Sequence, residues 1–126
     1  MIGLTRVVRV FAYGAPVDLR KGFNGLSALV EHQMKNRLVD GDVYLFVGRK
    51  TRRAKVLYFD GTGLCLFAKR LEHGRFARPW EQSGGSVLSL TLSELALFLE
   101  GSDLVGRKVL VQPTFDEKNL AVKIPV

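Results

Sequence analysis

Residues 43–80, VYLFVGRKTRRAKVLYFDGTGLCLFAKRLEHGRFARPW, decide the fold. Four β-prone runs lie in this stretch: Val43–Val47, Ala54–Phe59, Leu64–Leu71 and Arg75–Trp80. They are rich in branched and aromatic side chains. The connections between them are short and carry turn residues: Gly48–Arg53, Asp60-Gly61-Thr62-Gly63 and Glu72-His73-Gly74. Connections of this length join antiparallel neighbours, so the middle of the chain is expected to form an antiparallel meander.

Upstream, Arg6–Tyr13 reads as a further strand, broken by Gly14-Ala15-Pro16. Phe23, Leu26, Val30 and Met34 then recur at helical spacing, which predicts an amphipathic helix from Leu19 to about Lys35 with Asp18 as its N-cap. Gly22 and Gly25 each cost that helix about 1 kcal/mol relative to alanine, a sign of close packing or of a later start. Downstream, Ser83-Gly84-Gly85-Ser86 reads as a flexible loop. Thr91-Leu92-Ser93-Glu94 is a capping box, and it opens a second helix, Leu92–Glu100, that Gly101 is placed to end. On that helix Leu92, Leu95, Ala96 and Leu99 share one face. Lys108–Val111 looks like another strand, and Ala121–Val126 like a loose end or an added one. The expectation is an α+β fold: an antiparallel sheet of five or six strands with two helices, in a single domain spanning 1–126, with 101–126 as a C-terminal extension.

At 126 residues, 47% hydrophobic and 25% charged, the chain has an ordinary globular balance and enough length for a real core. No segment reaches the roughly 18 uninterrupted apolar residues of a membrane span. Cys65 is the single cysteine, so it forms neither an internal disulfide nor a metal-binding pair. A soluble protein of the reducing cytoplasm is expected, with no membrane contact.

The net charge of +7 is localised. Arg49–Arg78 holds nine bases (Arg49, Lys50, Arg52, Arg53, Lys55, Lys69, Arg70, Arg75, Arg78) against Asp60 and Glu72, a balance of +7, while the other 96 residues hold ten of each sign. Charge confined to one stretch makes a field over one region, as expected for a polyanionic partner. The bland alternative is a solvated basic surface that keeps the protein soluble.

Five of these charges stand at Arg49, Lys50, Arg52, Arg53 and Lys55, on an expected hairpin tip that could enter a groove or straddle phosphates; the alternative is an exposed turn with no partner. Lys55, Lys69, Arg70, Arg75 and Arg78 interleave with Tyr58, Phe59, Phe67, Phe76 and Trp80, the pattern of single-strand binding surfaces. The rings are equally the buried face of a sheet, Phe59 and Phe67 above all; Tyr58 and Trp80 are evenly balanced. Asp18-Leu19-Arg20-Lys21-Gly22 offers a third anion site, with Arg20 and Lys21 at a helix start, or a capping aspartate beside solvated bases. If about six of the nine bases touch phosphate, affinity falls with a log–log salt slope near −5.

Enzymatic constellations are sparse. Asp18, Asp60 and Glu72 could share a divalent ion as a nuclease, though Asp60 and Glu72 are better read as turn residues. His32 and His73 lack a metal-binding partner at useful spacing, and Cys65, between Leu64 and Leu66, reads as a buried or half-buried small hydrophobe. No phosphate-binding glycine loop or nucleophile elbow is present, and no cofactor is expected.

Three blocks carry a family resemblance: Asp18-Leu19-Arg20-Lys21-Gly22-Phe23-Asn24-Gly25-Leu26; Arg52-Arg53-Ala54-Lys55-Val56-Leu57-Tyr58-Phe59-Asp60-Gly61; and Gly63-Leu64-Cys65-Leu66-Phe67-Ala68-Lys69-Arg70-Leu71-Glu72, followed by Gly74-Arg75-Phe76 and Pro79-Trp80. In order and spacing they resemble the second reading-frame product, the TnpB-type accessory protein, of the insertion-sequence 66 group of bacterial transposons. The resemblance covers about three quarters of the chain. It implies a non-catalytic protein made beside a larger transposase that carries the catalytic acids, with the transposase and the DNA of the element as partners. An adaptor that docks on the transposase and barely touches DNA would fit the same resemblance. A homo-oligomer is possible. Asn24, Phe59 and Ala68 depart from the aspartate, tryptophan and tyrosine usual in such proteins, which weakens a base-stacking role for positions 59 and 68.

Overall fold

Val43–Val47 (β2) is apolar at every position because it lies in the middle of a sheet covered on both faces. Tyr44 and Phe46 are buried on one side, Leu45 and Val47 on the other. A computed structural model describes residues 7–101, and all structural statements below concern those residues. Around β2 stand β1 (Val10–Ala12), β3 (Arg53–Phe59), β4 (Leu64–Arg70) and β5 (Leu88–Leu90), in the spatial order β4-β3-β2-β1-β5.

The sheet is mixed, which corrects the expected all-antiparallel meander. β2, β3 and β4 do form a meander, but β1 runs parallel to β2, with Val10 opposite Val43. The connection between β1 and β2 contains a helix, and a parallel pair needs such a crossover. β5 closes the far edge antiparallel to β1, Val10 facing Leu90. The expected strand Arg75–Trp80 is absent: that segment crosses the sheet face as irregular backbone and ends in a short helix, α2 (Pro79–Ser83), with proline in its first turn. Phe76 gives the segment its strand-like alternation by burying itself against Phe98, ring centroids 5.3 Å apart. Of the loop expected at Ser83–Ser86, Ser83 ends α2 and the backbone is then turned by Gly84 and Gly85.

Helix α1 runs over Phe23–Ala28 and continues as a π-helical turn, Leu29–Gln33. It starts four residues later than expected because Asp18 turns its carboxylate to the Arg20 N–H and guanidinium instead of capping the helix. Leu26 and Val30 are buried as expected, but Phe23 is exposed. Helix α3 (Leu92–Glu100) carries the expected capping box: the Glu94 N–H donates to Thr91 Oγ1 (3.0 Å) and the Thr91 N–H to Glu94 Oε1 (2.9 Å). Its buried face is Leu95 and Phe98, with Leu92 and Ala96 exposed. Gly101 ends it at φ 71°, and a Cβ there would lie 2.4 Å from Leu71 Cδ1.

Two cores result. Val10, Leu45, Val56, Phe76, Leu95 and Phe98 pack beneath α3, and Leu26, Val30, Tyr44, Phe46 and Leu57 pack beneath α1. The strands expected at Lys108–Val111 and 121–126 lie outside the described residues.

Candidate nucleic-acid interface

The basic run Arg49–Arg53 forms the β2–β3 connection, and its shape is set by one residue the charge pattern conceals. Thr51 is buried and adopts φ 59°, a left-handed conformation that disfavours a β-branched side chain. Several hydrogen bonds hold it. Within the turn, the Thr51 N–H donates to Gly48 O (2.9 Å), the Gly48 N–H to Arg53 O (3.0 Å), and Thr51 Oγ1 to Lys50 O (2.6 Å). From outside, the Phe76 N–H donates to Thr51 O (2.7 Å), Arg75 Nη1 to Lys50 O (2.7 Å), and the Leu71 N–H to Arg52 O (2.8 Å). The expected hairpin tip is therefore a turn braced from the side by residues 71–76. With Thr51 turned inward, its charged neighbours Arg49, Lys50, Arg52 and Arg53 are exposed.

Opposite the turn runs Pro16–Arg20, tied to the end of β2 by a 3.0 Å bond from the Val17 N–H to Val47 O. Between the two segments lies a cleft of about 820 Å³, lined by Arg20, Arg49, Lys50, Arg52, Arg53 and Arg70. Arg53 and Arg70 are direct cross-strand partners, so two like charges stand side by side on the α1 face. The acid lining the cleft is Asp18, which already accepts from Arg20 Nε and Nη2. Those bonds hold its carboxyl well below the usual carboxylate range. Arg70 also reaches Glu72 (3.2 Å), whereas Arg49, Lys50, Arg52 and Arg53 make no ion pair among the described residues. A smaller depression of about 390 Å³ continues from Arg53 and Arg70 past Lys55, Lys69 and Glu72.

The other expected contacts are dispersed. Lys55 Nζ donates to Lys21 O (2.9 Å), tying β3 to the segment before α1; Lys21 does not line the cleft. Lys69 is on the opposite sheet face, where its Nζ caps α3 at Leu99 O (2.7 Å). Arg75 braces the turn, and Arg78 pairs with Glu81 at the start of α2. Tyr58 and Trp80 pack against the α3-side core, and Phe76 is buried, whereas Phe67, expected in the core, is 46% exposed on that side. The cations left unpaired at the turn thus stand apart from Tyr58, Phe67, Phe76 and Trp80 on the α3 side, where Lys69 is taken up by Leu99 O, and the interleaved strand face expected from the sequence does not form.

The carboxylates do not converge either. Asp60 sits in the β3–β4 turn, accepting from the Thr62 and Gly63 N–H groups, which lower its pKa to about 2. Asp18 lines the cleft at the other end of β3, a strand of seven residues and so about 20 Å long. Among the described residues no three His, Cys, Asp or Glu side chains are grouped to hold a metal ion. Cys65 is half-buried, its thiol pushed up first by burial and then by Asp60. No helix among the described residues is long and apolar enough to cross a membrane.

Comparison with known proteins places this geometry in context. The model of the family described as IS66 Orf2 like protein matches residues 8–108. Two relatives come from Sinorhizobium fredii (strain NBRC 101917 / NGR234). The uncharacterized protein y4jC is 36% identical over 116 residues, which is 90% of this chain and 97% of the relative. The uncharacterized protein y4hO is 36% identical over 96 residues, 76% of this chain and 82% of the relative. No solved structure matches the chain.

Proposed function

The chain belongs to the family of IS66 Orf2-like proteins, and on that premise we propose that it serves transposition of its element as a non-catalytic accessory protein that holds DNA backbone in the Arg49–Arg53 cleft. The observation that supports this reading is convergence: six cations from three separate segments, residues 20, 49–53 and 70, line one cleft whose acid is already taken up by Arg20. Phosphates would relieve the repulsion among these guanidinium and ammonium groups, and arginine's planar fork suits phosphate oxygens. A transposase of the same element is the protein partner this reading implies, with the accessory protein positioning DNA for an enzyme that carries the catalytic acids.

The test is fluorescence anisotropy of the full chain with labelled transposon-end duplex, scrambled duplex and single strand, titrated from low to physiological salt. Salt-dependent binding that Arg52→Glu with Arg53→Glu abolishes supports the reading. DNA binding by the assembled transposase complex that survives this reversal refutes it and favours an adaptor acting through protein contacts. Preference among the three probes would show which form of DNA the cleft takes.

A further inference from the structure

β4 is an edge strand: among the described residues it pairs with β3 alone. The β3–β4 register fixes which of its backbone groups are unused. Bonds from the Leu71 N–H to Arg52 O and from the Asp60 N–H to Gly63 O mark the hydrogen-bonded pairs, so in that ladder positions 65, 67 and 69 turn their N–H and C=O groups toward β3. Leu64, Leu66, Ala68 and Arg70 turn theirs to the open edge. Natural edges are shielded by charges, prolines or bulges. This one pairs without interruption over seven residues, carries its cations at one end only, and exposes Leu64 (36%) and Phe67 (46%).

We propose that this edge pairs with β4 of a second copy of the chain, antiparallel about a two-fold axis at Phe67, joining two sheets into one. The seven residues match themselves in that register. Leu66 and Ala68 of each copy exchange hydrogen bonds with Ala68 and Leu66 of the other, Leu64 does so with Arg70, and Phe67 meets Phe67 as a non-hydrogen-bonded pair. Charge favours this direction. Parallel pairing in register stacks Lys69 and Arg70 on their own copies; antiparallel pairing sets Lys69 opposite Cys65 and Arg70 opposite Leu64, so that no cation faces its like. The axis stands perpendicular to the sheet, which leaves both α1 faces, and both basic clefts, on one side. The inference goes beyond the DNA reading and does not rest on it.

The experiment combines sedimentation with a disulfide trap in the full chain. Twice the 14.0 kDa chain mass is expected at micromolar to submillimolar protein. With Cys65→Ser removing the native thiol, Phe67→Cys is expected to form a cross-linked dimer in a glutathione redox buffer, since facing Cα atoms of a non-hydrogen-bonded pair lie about 4.5 Å apart, within disulfide reach. Leu66→Cys in the same background is expected not to cross-link, because it faces Ala68. A monomer at every concentration overturns the proposal, as does cross-linking at position 66 equal to that at 67. A monomer whose Leu66 and Ala68 amides resist hydrogen exchange also overturns it, assigning the edge to chain outside residues 7–101. Because cleft binding is read separately by anisotropy, a missing dimer leaves the DNA reading intact, and the reverse holds.

Discussion

Replacing Arg53 and Arg70 together by alanine tests whether the cleft, and not net charge, binds DNA. These two side chains are cross-strand neighbours on the cleft wall. At about 5 Å in water their repulsion is on the order of 0.8 kcal/mol, so their loss leaves the fold no less stable. Arg20 is forked onto both oxygens of Asp18, whereas the exposed Arg70–Glu72 contact is a single bond that a phosphate can replace, which leaves five cations for phosphate: Arg49, Lys50, Arg52, Arg53 and Arg70. At about 0.9 per contact the wild-type slope of log K against log salt is about −4.5, a loss of about 500-fold between 50 and 200 mM salt. The double variant drops to about −2.7, or about 40-fold over the same range. The control is Lys69→Ala with Arg78→Ala, which removes the same formal charge from side chains held at Leu99 O and Glu81, away from the cleft. Its slope stays at the wild-type value. Fluorescence anisotropy with one labelled duplex across the salt series measures all three proteins. Equal slope losses in the two double variants, or a wild-type slope near zero, would refute the reasoning.

Three further outcomes follow from the fold. Thr91→Ala removes the capping-box acceptor of α3 and lowers unfolding free energy by about 1 kcal/mol in urea titration; an unchanged midpoint would mean the box adds nothing. Gly14→Ala places a Cβ 2.3 Å from Ser86 O and 2.5 Å from Gly85 O, so one backbone segment must move, and thermal melting should show a loss of about 1–3 kcal/mol. Asp60 is depressed from 3.8 to about 2 by the Thr62 and Gly63 amides, so its contribution to stability is complete above pH 3.8 and is lost as pH falls through about 2. Asp60→Asn has no carboxyl to protonate there, so the stability difference between wild type and variant should change with pH within that window, and a pH-independent difference contradicts the assignment.

Much of the fold could be read because burial leaves a mark on local pattern. The β-prone run at Val43–Val47 gave the strand β2, the short turns at Gly48–Arg53 and Asp60–Gly63 gave the β2–β3–β4 meander, and Thr91 with Glu94 gave the start of α3. What was lost depends on distant pairing. β5 is three residues long and exists because Val10–Ala12, far away in sequence, offers it an edge. The parallel β1–β2 pair was signalled by the helix between them, a signal the run of short turns downstream overrode. Phe76 imitates a strand because irregular backbone crossing a core also alternates inward and outward. At the candidate site, the basic run marked the β2–β3 turn, yet the sequence does not show that Arg20 and Arg70 meet it, since each comes from a separate element. The meander itself argues against a shared carboxylate set of Asp18, Asp60 and Glu72: consecutive turns of a meander lie at opposite ends, which separates Asp60 from Glu72.

The inward, left-handed Thr51 has a consequence for selectivity. An arginine-rich tail is a soft polycation that takes the shape of whatever anion it meets, and it therefore reads total charge. Here a buried threonine, four backbone bonds and the Arg75 guanidinium fix the turn before any anion arrives, so the backbone positions from which Arg49, Lys50, Arg52 and Arg53 extend keep constant spacing. The backbone part of the ordering entropy is met in folding and not in binding, and the side-chain part is left to binding. If the cleft holds DNA as proposed, a turn fixed in this way is expected to act as a gauge of the interval between phosphates, so heparin or polyphosphate of equal charge but different repeat should compete poorly with DNA.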